Sequence, residues 1–264
     1  MQPTLGSLFA GIGGIDLGFE RARFKTSWQV EIDPYCQRVL ERHFPDAERF
    51  NDVRTVGVGE LARVDGIAAG FPCQDISNAG LKAGIRGARS GLWSECARIV
   101  GVLRPRFVLL ENVAALLGRG IGEVLGDLAE IGYDAEWQII SAADVGAPHI
   151  RERVWILAYP GCEGVRERGR DCGTGSEVRV IRGDGLDGIP GQPQIQGQIL
   201  ADANILAAVR AAITRKECRP WPSESGLARV AHGIPARVDR IRCCGNAVVP
   251  QIPEMIAKEV IKYL

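Results

Sequence analysis

Residues 5–19 read "LGSLFAGIGGIDLGF", and the fold turns on how they are taken. The apolar start, through Phe9, reads as a buried strand. Gly11, Gly13 and Gly14 then make a turn, and from Ile15 the apolar residues recur at helical spacing. A strand, a glycine turn and a helix in that order let the backbone approach a ligand closely. The unpaired N–H groups at the helix start then face a negative group. The pattern departs from G-x-G-x-x-G because Asp16 takes the third glycine's place, and no G-K-[ST] follows to grip a phosphate. Glu31 ends the next strand-like run about 20 residues on, where an acid grips ribose hydroxyls and disfavours a 2′-phosphate. Asp52, in "NDV" at residues 51–53, stands at the third unit, where a carboxylate can accept from an adenine amino group. Two readings stay open at this point: a glycine turn with two surface acids, or a pocket for an adenosine cofactor that needs no pyrophosphate. The second accounts for more of the residues.

Outward from this stretch the alternation continues. Strand-like runs fall at Thr4–Phe9, Thr26–Val30, Gly66–Ala69, Arg106–Glu111, Glu136–Ser141 and Arg153–Ala158. Helix-like runs fall between them at Ile15–Arg23, Pro34–Phe44, Leu92–Leu103 and Ile121–Ile131. Pro34 suits a helix's first turn, where its missing N–H is not needed. Strands alternating with helices imply βαβ units and a mostly parallel sheet covered on both faces. A (β/α)8 barrel alternates too, but would use about 250 residues on the barrel itself, nearly all of this 264-residue chain. After Tyr159 the texture changes: residues 160–200 hold ten glycines and no clear period, so loops and short irregular strands are expected. A helical run at Ile205–Ile213 and a basic segment to Arg242 follow, and an amphipathic helix begins near Pro253. The expected organisation is an α/β domain over 1–160, completed by 245–264, and a smaller irregular domain over 161–244.

With 46% hydrophobic and 24% charged residues the balance is that of a globular protein, and no apolar run reaches membrane-span length. The N-terminus lacks a basic region ahead of an apolar stretch, so the expected location is the cytoplasm. Net charge is zero, but between Arg210 and Arg242 eight Lys/Arg face three Asp/Glu, a local excess permissive for nucleic acid. The eight cysteines form no CxxC pair, so no metal site is expected, and Cys243-Cys244 reads as packing.

One cysteine stands apart. In "IAAGFPCQDIS", residues 67–77, Cys73 follows Pro72 at the exit of a buried strand, presented rather than packed. That is the sheet edge where α/β folds place ligands. Pro72 fixes its φ and stiffens the turn that aims the sulfur. A nucleophilic thiol needs partial exposure and nearby positive charge. "RPRFVLLENV" ends in Glu111-Asn112, a carboxylate at the same edge whose apolar surroundings would raise its pKa, and an amide able to hold the neighbouring loop. Arg151 and Arg153, spaced by two, share one face of a strand start and can bind a carbonyl or phosphate oxygen.

Taken in order, "FAGIGG" (9–14), "EIDPYC" (31–36), "NDV" (51–53), "GFPCQ" (70–74), "RSGLW" (89–93), "ENV" (111–113), "RERVWILA" (151–158) and "GNAVVPQ" (245–251) make the sequence resemble the DNA cytosine-5 methyltransferases of bacteria and phages. The resemblance covers residues 4–160 and 221–262. It implies the Rossmann-like, doubly wound fold of S-adenosylmethionine-dependent methyltransferases with a small target recognition domain. It also implies S-adenosyl-L-methionine as cofactor, leaving as S-adenosyl-L-homocysteine, and double-stranded DNA as partner. Cys73 would attack carbon 6 of a flipped-out cytosine, Glu111 would hydrogen-bond or protonate N3, and Arg151 and Arg153 would hold the base carbonyl and flanking backbone. The cofactor residues it implies are Phe9, Ala10, Gly11, Gly13, Gly14, Glu31, Ile32, Asp52, Val53, Pro72, Asn246 and Ala247. Gln74–Ser90 looks like the family's closing loop.

Two positions depart from the family pattern: His149 stands where glutamine is common, and Cys243-Cys244 stand where small apolar residues are usual. A tRNA cytosine-5 methyltransferase is the nearest rival, but that branch's Cys-Phe-Thr signature is absent. A catalytically dead DNA-binding homologue would be free to lose Cys73, Glu111, Arg151 and Arg153, all of which are present. A small-molecule methyltransferase would need neither the Pro-Cys nor the insert. A monomer suits an enzyme that embraces a duplex, and a cognate restriction endonuclease is a question for neighbouring genes.

Overall fold

The structure, a computed structural model, describes residues 1–57, 59–72, 91–161, 204–215 and 236–264. Cys73, the Gln74–Ser90 loop and most of the glycine-rich insert lie outside these. Seven strands form one sheet: β1 (Thr4–Leu8), β2 (Lys25–Val30), β3 (Glu48–Phe50), β4 (Gly66–Ala69), β5 (Phe107–Val113), β6 (Tyr133–Ser141) and β7 (Glu152–Pro160). Their order is β3-β2-β1-β4-β5-β7-β6. The first five pair in parallel, and β7 inserts antiparallel between β5 and β6. The expected α/β class and mostly parallel sheet are therefore what the chain adopts.

Parallel strands covered on both faces must be apolar on both. β4 and β5 are buried along nearly their whole length. On one face Phe107, Leu109, Trp155 and Leu157 join a core with helices α1 (Gly14–Arg21), α6 (Ile205–Thr214) and α8 (Gln251–Val260). On the other, Val108, Leu110, Val154 and Ile156 meet α3 (Leu92–Leu103) and α5 (Ile121–Glu130). The period of two along each strand sorts the side chains between the faces. Two glycines make room for large rings over neighbouring strands. A Cβ at Gly6 would lie 2.1 Å from the Trp28 ring, and one at Gly66 would lie 2.0 Å from the Phe107 ring.

Helix α2 (Pro34–His43) is capped by Asp33, whose carboxylate accepts from the N–H groups of Tyr35 and Cys36, with Pro34 in the first turn as its ring geometry favours. A short helix, α4 (Leu116–Arg119), and α7 (Arg237–Asn246) complete the α-helices of the described residues, beside 3-10 turns at Ala143–Val145 and Ile261–Tyr263.

Four elements depart from the sequence pattern, α4 among them, a single turn too short to show a period. β3 is three residues, "ERF", on the sheet edge, too short to show a period. α7, "RVDRIRCCGN", buries only Cys243 and so carries no apolar stripe. α8 begins at Gln251 rather than near Pro253, and Pro253 is tolerated because first-turn N–H groups have no intrahelical acceptor. α6 packs on β6 and α8, and its first N–H groups, from Ile205 and Leu206, are held by the Glu136 carboxylate of β6 at 2.9 and 3.1 Å.

α8 lies against α1 with almost no clearance. A Cβ at Gly18 would stand 2.6 Å from the Pro250 carbonyl oxygen and 2.8 Å from the Glu254 nitrogen, both backbone atoms. Helix propensity alone would reward Gly18→Ala by about 1 kcal/mol. Overpacking against backbone costs about 1–3 kcal/mol. We expect Gly18→Ala to lower the urea midpoint; an unchanged or raised midpoint would mean that α8 does not press on α1 as described.

Candidate active site

The strand register lines up the ends of the strands. Phe50, Val30, Leu8, Ala69, Leu110 and Ile156 form one row across β3, β2, β1, β4, β5 and β7. Glu31, Phe9, Gly70 and Glu111 each stand one residue past this row, at the carboxyl ends of their strands. From β2 to β5 is three strand spacings, about 14 Å. Strand order reverses between β1 and β4, the switch point where such sheets bind ligands. Because β7 runs antiparallel to β5, it is the start of β7, with Arg151 and Arg153, that reaches this edge.

Around the glycine turn, Phe9, Gly11 and Gly13 all have positive φ, at 55°, 57° and 82°. Phe9 pays the usual cost of a left-handed non-glycine residue, a strain that collects at functional turns. Nothing lies within 4 Å of where a Cβ on Gly11 would stand, so that backbone borders open space. Gly13, by contrast, is pressed on Phe44, and Gly14 on the backbone of Val248, which ties the turn to the C-terminal segment. The Gly11 N–H donates to Glu31 Oε2 at 2.7 Å and the Asp33 N–H to Oε1 at 2.8 Å. Each oxygen keeps a further acceptor site. Ile32 beside it is 62% exposed, a large apolar side chain facing outward. Val53 is buried. Asp52 spends its carboxylate on Arg54, whose Nε, Nη2 and backbone N–H all donate to it, and these bonds hold its pKa below the usual range.

Beneath the turn lies a group the sequence marked only as a missing glycine. Asp16 is fully buried, accepting from Gln29 Nε2 at 2.8 Å and Ser7 Oγ at 3.1 Å. Burial outweighs these bonds and pushes its pKa up to about 6.

Further along the edge, Gly70 faces Glu111: a Cβ there would be 3.3 Å from Glu111 Oε2. Phe71 is buried against Trp93, with ring centroids 4.9 Å apart, and its carbonyl accepts from Asn112 Nδ2 at 2.8 Å. Asn112 thus holds the loop that leads to exposed Pro72 and on to Cys73. Glu111 is buried, with Oε1 2.8 Å from Arg153 Nε. Burial raises its pKa and the charges of Arg153 and Arg151 oppose this; burial is the larger effect. Arg151 donates through Nη1 to the Gly245 carbonyl at 2.7 Å. Its Nε is buried without a partner among the described residues, and burial, with repulsion from Arg153, lowers its pKa. Asn246, next to Gly245, is exposed and ends α7, and Ala247 is half-buried. His149 is exposed. The structure thus gathers Glu111, Arg151 and Arg153 into one cluster and Phe9, Gly11 and Glu31 into another on the same edge.

Residues 4–166 match the family model for C-5 cytosine-specific DNA methylase. The chain is 38% identical over 160 residues to the Type II methyltransferase M2.BsuMI of Bacillus subtilis (strain 168), covering 58% of this chain and 41% of the relative. It is 34% identical over 166 residues to the Type II methyltransferase M.Bsp6I of Bacillus sp. (strain RFL6), covering 60% and 53%. The chain spans about half the length of the curated relatives it matches. Among solved structures, a triple mutant of Spodoptera frugiperda DNMT2 superposes with a TM-score of 0.61 at 15% identity, covering 98% of this chain and 99% of that one, a likeness of fold.

Two measurements test the electrostatics. A carboxylate whose pKa rises on folding, from 3.8 to about 6 for Asp16, contributes stability below the lower value that is lost as pH rises through the upper one. Asp16→Asn keeps both hydrogen-bond positions without the charge. Its stability relative to the parent should therefore grow as pH goes from about 4 to about 7; a pH-independent difference in urea unfolding would reject this. For Glu111, removing the opposing charge by Arg153→Ala should move the carboxyl titration, followed by carbon-13 NMR, further upward; a downward shift would refute the pairing.

Proposed function

Because the chain belongs to the C-5 cytosine-specific DNA methylases, we propose that it transfers a methyl group from S-adenosyl-L-methionine to carbon 5 of a cytosine turned out of a DNA duplex. The observation that carries this reading is the pairing of buried Glu111 with Arg153 directly across from Gly70, the residue that opens the loop to Cys73. S-adenosylmethionine, when bound, supplies an electrophilic methyl on a sulfonium sulfur.

The residues fit that cofactor. Open space at Gly11 admits a ligand against the backbone, and Glu31 retains acceptor sites for ribose hydroxyls. Exposed Ile32 offers an apolar surface to an adenine face. We assign Phe9, Ala10, Gly13, Gly14, Val53, Pro72, Asn246 and Ala247 to the same cofactor pocket. Asp52 can take the adenine amino group only by giving up part of its bonding to Arg54. That exchange is cheap, because an exposed ion pair is worth roughly 0–1 kcal/mol.

On the substrate, the Cys73 thiolate forms a bond to carbon 6. The ring's electron pair moves toward carbon 5, which takes the methyl. Loss of the carbon-5 proton and departure of the thiolate then restore the ring. Glu111 holds a proton for N3: its Oε1 is fixed by Arg153 while Oε2 faces the Gly70 turn, and its raised pKa favours keeping the proton. Arg151, whose Nε is buried without a partner among the described residues, and Arg153 hold the base carbonyl or a phosphate oxygen. The base itself must leave the stack, at a cost of about a few kcal/mol. Residues 161–244 are assigned to target recognition and the remainder to the cofactor and catalysis. We assign the activity to a bacterial or phage restriction-modification or anti-restriction system in the cytoplasm, a reading supported by the chain's similarity to bacterial Type II methyltransferases.

Transfer of tritiated methyl to mixed-sequence duplex DNA tests this, with tRNA as a second acceptor. We expect label at carbon 5 of cytosine in DNA, none with Cys73→Ala, and a loss of about 10²–10⁴-fold with Glu111→Gln, cofactor binding being kept in both. Label on tRNA alone would move the substrate. Label on neither, with cofactor still bound, would overturn the proposal.

A further inference from the structure

Beside the glycine turn, and outside every role assigned above, two cysteines far apart in the chain come together. Cys36 sits in the first turn of α2 and Cys243 in α7, with Sγ atoms 3.3 Å apart and each residue 5% exposed. Asp33, the cap of α2, completes the group: one ligand atom from each of the three lies within 4.8 Å of the other two. Arg242 Nη2 is 2.5 Å from Asp33 Oδ2.

We propose that Asp33, Cys36 and Cys243 form a binding site for a thiophilic divalent cation of the Zn2+ class, which pins α2 to α7. The sulfur spacing fits a metal better than a cross-link. Zn–S bonds of about 2.3 Å in tetrahedral geometry place two sulfurs about 3.8 Å apart, so a small separation suffices. A disulfide at about 2.05 Å would need the sulfurs to close by more than an ångström. The charge also suits a dication: two thiolates and a carboxylate face the Arg242 guanidinium, which Asp33 shares with Asp239, and the site is left net negative. Binding releases the two thiol protons to solvent, and water fills the fourth position of a three-ligand site. Asp33 retains its cap of α2 through Oδ1, and Oδ2 has a second lone pair beside Arg242. The site joins the segment after Glu31 to the one before Gly245 and Asn246, but it does not depend on methyl transfer.

The test is titration of the reduced, chelator-treated protein with Co2+, watched for thiolate-to-cobalt absorption in the near ultraviolet, followed by displacement with Zn2+. We expect one equivalent with that absorption, lost in Cys36→Ser and in Cys243→Ser. Asp33→Asn, which still caps a helix, should bind 10–100-fold more weakly, and Zn2+ should raise the Tm of the parent but of neither cysteine variant. Absence of the band in the parent overturns the proposal. So does its persistence in Cys243→Ser, which would assign the metal to other cysteines. A Cys36–Cys243 disulfide found by mass in unreduced protein would overturn it as well. Circular dichroism shows whether a variant has folded, and the parent titration decides the matter if one has not.

Discussion

A carboxylate at the end of a buried strand must either find a partner or give up its charge. Glu111 meets that constraint through Arg153, and much of the architecture follows from where Arg153 comes from. In a wholly parallel sheet a strand's first residues lie at the edge opposite the site. Here β7 is turned against β5, so its start meets β5's end. Arg153 lies diagonally across from Glu111, since Glu111 pairs with Trp155 and Val113 with Arg153. Diagonal neighbours on one face lie within reach of long side chains. Burial and the arginines pull the Glu111 proton in opposite directions, and such a balance suits a group that must lend a proton and take it back.

The same edge is braced by backbone contacts as much as by charge. Gly14 lies against Val248 and Gly18 against Pro250, so the glycine turn and its helix are fitted to the C-terminal segment. Arg151 reaches that segment from the other side, through the Gly245 carbonyl. Residues from opposite ends of the chain thus enclose one edge, and a displacement of α8 would be felt by both the turn and the arginine cluster.

Much of this was legible because it is periodic or local. β4 and β5 read as continuous apolar runs, and "GIGG" read as a turn because only glycine takes the backbone angle of Gly13 so readily. Asn112 could be assigned to the loop because it stands at the carboxyl end of the strand that neighbours Gly66–Ala69. What escaped the sequence depends on partners distant in the chain or on water being excluded. Nothing in "GIDLG" reveals that Asp16 is sealed beneath the turn, and nothing in "NDVR" reveals that Asp52 is already bonded to Arg54. α7 escaped for another reason: a helix that buries one residue in ten has no stripe to display.

The cysteines show the limit of spacing arguments most directly. A search for paired cysteines close in sequence asks whether one loop can wrap a metal. Cys36 and Cys243 are 207 residues apart, and what joins them is the sheet, which delivers α2 after β2 and seats α7 beside it. Vicinal position is equally uninformative, for Cys243 is buried and Cys244 exposed. A sulfur pair formed by topology is invisible until the topology is known, although Cys36 ends the "EIDPYC" stretch that begins at Glu31 and Cys243 stands two positions before Gly245, in or beside segments that the sequence marked as functional. Motifs locate the segments that matter; the fold decides which of their neighbours come into contact.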